Sequence, residues 1–140
     1  VIQGYNPMRY DCAKQGCFNV KRRPKIEVFA ECFPGKIAMG DVDGIVEING
    51  HGLLLEWKSS DVELPIGQRI MYARLTRQCR LSVLIVYGNA ETMVIRQYAW
   101  FADGKLHGVI DATLDALKAA IKSWAEWAAQ QQQYKVVCGG

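Results

Sequence analysis

The sequence predicts an α/β (α+β) domain, a central sheet flanked by helices, on three observations. Asn49-Gly50 joins two runs rich in β-branched and apolar residues, Ile66 to Gln78 has helix-forming composition with no internal proline, and apolar residues recur at three- and four-residue intervals from Leu114 to Trp127.

Taken in order, the elements begin after an irregular, polar N-terminal segment, residues 1–26, with scattered cysteines. Glu27 to Phe33 reads as a first strand that Pro34-Gly35 terminates. Ile37 to Ile48 and His51 to Ser59 read as a hairpin, because both residues of an Asn-Gly turn accept the positive φ that a tight hairpin demands. Pro65 stands where a first helical turn tolerates it, so Ile66 to Gln78 reads as a helix. Leu81 to Tyr87 and Thr92 to Phe101, separated by Gly88-Asn89, read as two more strands, the second ended by Asp103-Gly104. Leu114, Leu117, Ile121, Trp124 and Trp127 form the stripe of a long C-terminal helix, which makes both tryptophans core candidates. The polar tail of residues 128–140, with its glutamine run and terminal Gly-Gly, is expected to fray.

A length of 140 residues, 50% hydrophobic and 22% charged, suits one domain with a real core, residues 1–140. The apolar stretches are far shorter than a bilayer span, and no basic, apolar, small-residue segment opens the chain. The expectation is a cytoplasmic protein with no membrane partner. Five cysteines, an odd number without framework spacing, fit a reducing compartment. The net charge of +3 does not by itself establish binding to a polyanion, but the positive charge is clustered. Lys21, Arg22, Arg23 and Lys25 form one group, and Arg69, Arg74, Arg77 and Arg80 form another along the first predicted helix.

The hairpin carries the chemistry. With Asn49 and Gly50 as the loop, Ile48 faces His51, Asp43 faces Glu56 and Asp41 faces Lys58. One face then presents Val42, Val46, Ile48, Leu53, Leu55 and Trp57, and the other presents Asp41, Asp43, Glu47, Glu56 and Lys58. Two carboxylates directly opposite each other repel unless a cation lies between them or one is protonated. Hard oxygen ligands suit Mg²⁺ or Mn²⁺, which complete their coordination with water and substrate phosphate, the arrangement of phosphodiester hydrolysis. Lys58, two residues from Glu56 on the same face, is placed to orient a nucleophile or stabilise developing charge. A solvated face with Asp41 and Lys58 paired across the strands explains the same residues, and a three-residue loop would shift the register and separate Asp43 from Glu56.

Gly40-Asp41-Val42-Asp43-Gly44, then Glu56-Trp57-Lys58, then Gln68-Arg69-Ile70-Met71-Tyr72 on the following helix, resembles the PD-(D/E)xK nuclease superfamily. Its RecB-like branch adds Q-x-x-x-Y to an aspartate on one strand and (D/E)-x-K on the next. The three motifs cover about a third of the chain and are also similar to those of small phage-encoded nucleases. The resemblance implies a restriction-endonuclease-like mixed central sheet flanked by helices and a metal-dependent hydrolase of DNA, an endonuclease rather than an exonuclease. By resemblance Asp43 and Glu56 are the metal ligands for Mg²⁺ or Mn²⁺, and Lys58 is the catalytic lysine. Gln68 and Tyr72, four apart on one helical face, position substrate or site. Asp41 is the rival aspartate. The superfamily's usual first helix with a glutamate has no clear counterpart, leaving Glu27 and Glu31 as candidates.

Arg69 and Arg77, with Arg80, are expected to contact DNA phosphates. Cys12 and Cys17, completed by Cys32 and either His51 or Cys79, form a candidate zinc set, against which stands their reading as small buried apolar residues. Two other functions stay open: an inactive nuclease-fold protein that binds nucleic acid or a protein partner as inhibitor or adaptor, and a zinc-stabilised interaction domain. A homodimer is compatible with all three.

Overall fold

The computed structural model describes residues 24–60 and 63–132. By its contacts the chain expected to form one domain divides into two compact units, residues 1–41 and 42–140.

In the first unit, Ile26–Cys32 forms a 3₁₀ helix where a strand was expected over Glu27 to Phe33. Its i to i+3 bonds include Val28 N–H to the Lys25 carbonyl at 3.2 Å and Phe33 N–H to the Ala30 carbonyl at 3.2 Å. Val28 and Phe29 supply strand propensity but stay exposed, so the segment lacks the half-buried sheet surface that such propensity reflects. Glu27 and Glu31 lie exposed on this helix.

The second unit holds a five-stranded mixed sheet in sequential order, β1 (Gly44–Ile48), β2 (His51–Lys58), β3 (Leu81–Gly88), β4 (Ile95–Ala102) and β5 (Lys105–Asp111). Helix α1 (Ile66–Gln78) connects β2 to β3, which are parallel, and α2 (Leu114–Gln130) follows β5. All other neighbours are antiparallel. The parallel pair follows from α1, because parallel neighbours need a crossover rather than a hairpin.

Asn49 and Gly50 have φ of 56° and 86°, and Ile48 pairs with His51. The expected turn and register therefore hold, from Ile48↔His51 out to Gly44↔Leu55. The strand expected from Ile37 begins only at Gly44. Continued pairing would offer the Trp57 amide to Val42. Instead Trp57 N–H donates to Asp43 Oδ2 at 2.6 Å, so a side chain takes over where the backbone ladder stops.

β4 starts at Ile95 rather than Thr92, because Asn89 folds the preceding residues into a turn. Asn89 Oδ1 accepts from the amides of Glu91 and Thr92 at 2.9 and 3.0 Å. Asp103-Gly104, read as a terminator, is a second positive-φ turn (51° and 81°) leading into β5, a strand not anticipated. The tail expected from residue 128 begins after Gln130, and residues 133–140 lie outside the described residues.

The core lies on both sides of the sheet. Leu53, Leu84, Val86, Ile95, Leu117, Trp124 and Ala128 pack beneath α2, and Leu64, Tyr72, Val83, Ile85, Tyr87 and Phe101 form the cluster on the α1 side. β3 is thus covered on both faces, which explains its unbroken apolar run. The expected apolar face of the hairpin is borne out at Ile48, Leu53, Leu55 and Trp57, but Val42 and Val46 are exposed. The opposite face is not a solvated one at β2: Glu56 is 9% exposed. Trp124 is buried as expected, whereas Trp127 is 47% exposed.

Candidate active site

β2 ends where α1 begins its passage over the sheet, which sets Glu56 and Lys58 facing the first two turns of the helix. Gln68 and Tyr72, one helical turn apart, both reach down to Glu56. Tyr72 Oη donates to Glu56 Oε2 at 3.0 Å, and Gln68 Nε2 donates to Glu56 Oε1 at 3.3 Å. Lys58 Nζ lies 3.1 Å from Glu56 Oε1 and donates to Gln68 Oε1 at 3.0 Å. Lysine, glutamate and glutamine therefore close a three-membered ring, with the tyrosine holding the other carboxylate oxygen.

This network explains how a carboxylate is kept nine-tenths buried. A buried charge needs an opposite charge and hydrogen bonds to its remaining lone pairs, and Glu56 has both. The Tyr72 hydroxyl is correspondingly held in its protonated form. Its pKa is pushed far above the ordinary 10.0 by burial first, then by the negative charge of Glu56, the hydrogen bond to it, and the charge of Asp43. Tyr72 is a donor at neutral pH and not a base.

Asp43 is exposed and sits one residue before β1, its carboxylate fixed by the Trp57 amide. Its influence on Tyr72 places it in the electrostatic neighbourhood of the Glu56 network. Asp43 and Glu56 are opposite only in the register extended one pair beyond the ladder, which ends at Gly44↔Leu55. Asp41 lies outside the ladder and is exposed, and Lys58, its expected cross-strand partner, pairs with Glu56 and Gln68. Glu47, expected on the charged face, accepts from the Gly50 amide at 2.6 Å and so serves the turn.

The arginines separate. Arg69 is exposed next to Gln68, while Arg77 and Arg80 line a cleft at the other end of α1. The nine helical steps from Gln68 to Arg77 amount to roughly 13 Å. Arg69 therefore lies at the Glu56 end of α1 and Arg77 at the opposite end. Gln68 and Tyr72, read as substrate-positioning residues, bond to Glu56 itself. Sequence reasoning passed over the amide of Trp57, which holds Asp43; the middle residue of Glu56-Trp57-Lys58 acts through its backbone, so its residue type gives no signal.

Among the described residues no three His, Cys, Asp or Glu side chains gather to hold a metal ion. Cys12 and Cys17 of the candidate zinc set lie outside the described residues, and Cys32 and Cys79 are exposed free thiols. A pair of carboxylates, one exposed and one buried, nevertheless fits a hard divalent cation that keeps several waters; it does not fit zinc, which takes three or four protein ligands. No helix among the described residues is long and apolar enough to cross a membrane. No family model, curated protein or solved structure matches the chain.

Proposed function

We propose that residues 42–140 form a metal-dependent nuclease that hydrolyses DNA phosphodiester bonds. The observation that carries this reading is the convergence of Glu56, Lys58, Gln68 and Tyr72 into one hydrogen-bonded group beside Asp43. These are the motif residues of the PD-(D/E)xK resemblance, contributed by a hairpin and the helix after it.

In this account Asp43 and Glu56 hold Mg²⁺ or Mn²⁺. The ion, when bound, polarises the phosphoryl oxygen and makes its water a better nucleophile. Tyr72 and Gln68 hydrogen-bond the two Glu56 carboxylate oxygens and orient them. Lys58 has three ammonium donors, of which Glu56 and Gln68 engage two, leaving one for an attacking water or a phosphoryl oxygen. Arg69 stands beside this group as a phosphate contact.

The test is incubation of the protein with linear, circular and branched DNA in Mg²⁺ or Mn²⁺, alongside Glu56→Ala and Lys58→Ala. Metal-dependent cleavage of circular DNA that both variants lose supports an endonuclease; equal cleavage by all three would sink the assignment. One observation favours a second reading, a nuclease-fold protein that binds without cutting: both oxygens of Glu56 are already engaged by protein donors. DNA retention without cleavage in either metal would select it.

A further inference from the structure

At the end of the sheet away from Glu56 lies a cleft of about 820 Å³, lined by residues of β2, α1, β3, β4, β5 and α2 and by the turns between them. It opens where β2 and β3 begin, at Gly52↔Leu81, four residues or roughly 13 Å along β2 from Glu56. Its size falls in the range of small-molecule sites.

Two kinds of side chain meet there. Trp100, Trp124 and Trp127 supply aromatic surface, and Trp127 is 47% exposed with its ring fixed against His51 at 4.7 Å between centroids. Arg77 and Arg80 line the same cleft, as does Asp103. Trp124 is nine-tenths buried, so the indole surface open to a ligand is that of Trp100 and Trp127.

We propose that this cleft binds a nucleotide, its base on the tryptophan surface and its phosphate on the arginines. Exposed indole stacks on any base, and guanidinium groups match phosphate oxygens in pairs. The same chemistry is offered by a free mononucleotide and by the 5′ end of a single strand. This inference does not rest on the nuclease reading, because it concerns a different end of the sheet and is tested without metal.

The experiment is calorimetric titration of the full chain in EDTA with dAMP, with 5′-phosphorylated hexathymidylate and with inorganic phosphate. dAMP is expected to bind saturably and at least about tenfold more tightly than phosphate, and Trp127→Ala and Arg77→Ala each to weaken it about tenfold. Both cleft variants alter exposed side chains, and matching far-UV circular dichroism confirms their fold. Tighter binding of the oligonucleotide than of dAMP assigns the cleft to a strand end, and the reverse assigns it to a free nucleotide. No saturable dAMP binding, phosphate binding as tightly as dAMP, or undiminished binding by both cleft variants overturns the proposal.

Discussion

Tyr72 shows how one side chain serves both stability and the candidate site. Its hydroxyl donates to Glu56 Oε2 at 3.0 Å, and its aromatic ring packs at 5.8 Å from that of Phe101 in the core. Tyr72→Phe keeps the ring but removes a donor to a buried charge, an exchange expected to cost about 1.5–3 kcal/mol in urea denaturation. Its pH dependence has a definite sign. Folded Tyr72 holds its proton well above the unfolded value of 10.0, so the unfolded state loses protons first as pH rises. The associated stability is fully present below pH 10 and falls above it, and wild type should lose more stability than Tyr72→Phe between about pH 10 and pH 12. Parallel curves would contradict the burial of the hydroxyl on Glu56. At this scale the sequence was informative about which residues matter and silent about how. Q-x-x-x-Y placed Gln68 and Tyr72 on one face, but that both bond to Glu56 depends on α1 lying across the end of β2.

The hairpin is the element most fully legible beforehand, because Asn49-Gly50 specifies both its turn type and its register. Asn49 has a second role that no local pattern shows. Its side chain donates to the Ala128 and Gln131 carbonyls at 3.3 and 2.6 Å, capping the C-terminal end of α2 from 79 and 82 residues away. Two substitutions separate these roles. Asn49→Gly keeps the positive φ and loses the cap, whereas Asn49→Ala loses the cap and adds the roughly 1 kcal/mol penalty of a left-handed non-glycine residue. Alanine should therefore be the more destabilising of the two by thermal or urea denaturation; equal costs would mean that only the cap matters. The errors at element boundaries share one cause. Thr92, Ile37 and Val28 all have strand propensity, but a strand forms only where a neighbour offers backbone partners. Asn89 diverts Thr92 into a turn, and the Asp43 carboxylate takes the Trp57 amide where the ladder would run on. β5 was missed for the opposite reason. Asp103-Gly104 is as much a hairpin turn as Asn49-Gly50, but Lys105–Asp111 is exposed throughout, so it lacks the alternation that a half-buried strand displays.

For the whole second unit, the mixed sheet and its two covering helices follow from hydrophobic pattern and crossover length. The burial of Glu56 does not. A glutamate between Leu55 and Trp57 reads as an outward-facing residue until α1 is known to cover that face, and only then does the carboxylate become a desolvated charge with chosen partners. The same placement ties metal to stability. An ion that binds folded Asp43 and Glu56 and not the unfolded chain stabilises the fold by about 2.7 kcal/mol at a hundredfold excess over its dissociation constant. The melting temperature should rise with Mn²⁺, and Asp43→Asn should abolish that rise. Lys58 is the member of the group with a donor aimed at the reacting atoms in this account, and because its removal leaves the buried Glu56 carboxylate without its opposite charge, Lys58→Ala is read for chemistry once its far-UV circular dichroism matches wild type. The decisive measurement is thus cleavage of supercoiled DNA in Mn²⁺ by wild type and Lys58→Ala, with Mn²⁺ binding followed in parallel. The expected result is metal binding by both and a loss of cleavage of roughly 100-fold or more in the variant. Undiminished cleavage by Lys58→Ala, or no metal-dependent cleavage by wild type, would contradict the account.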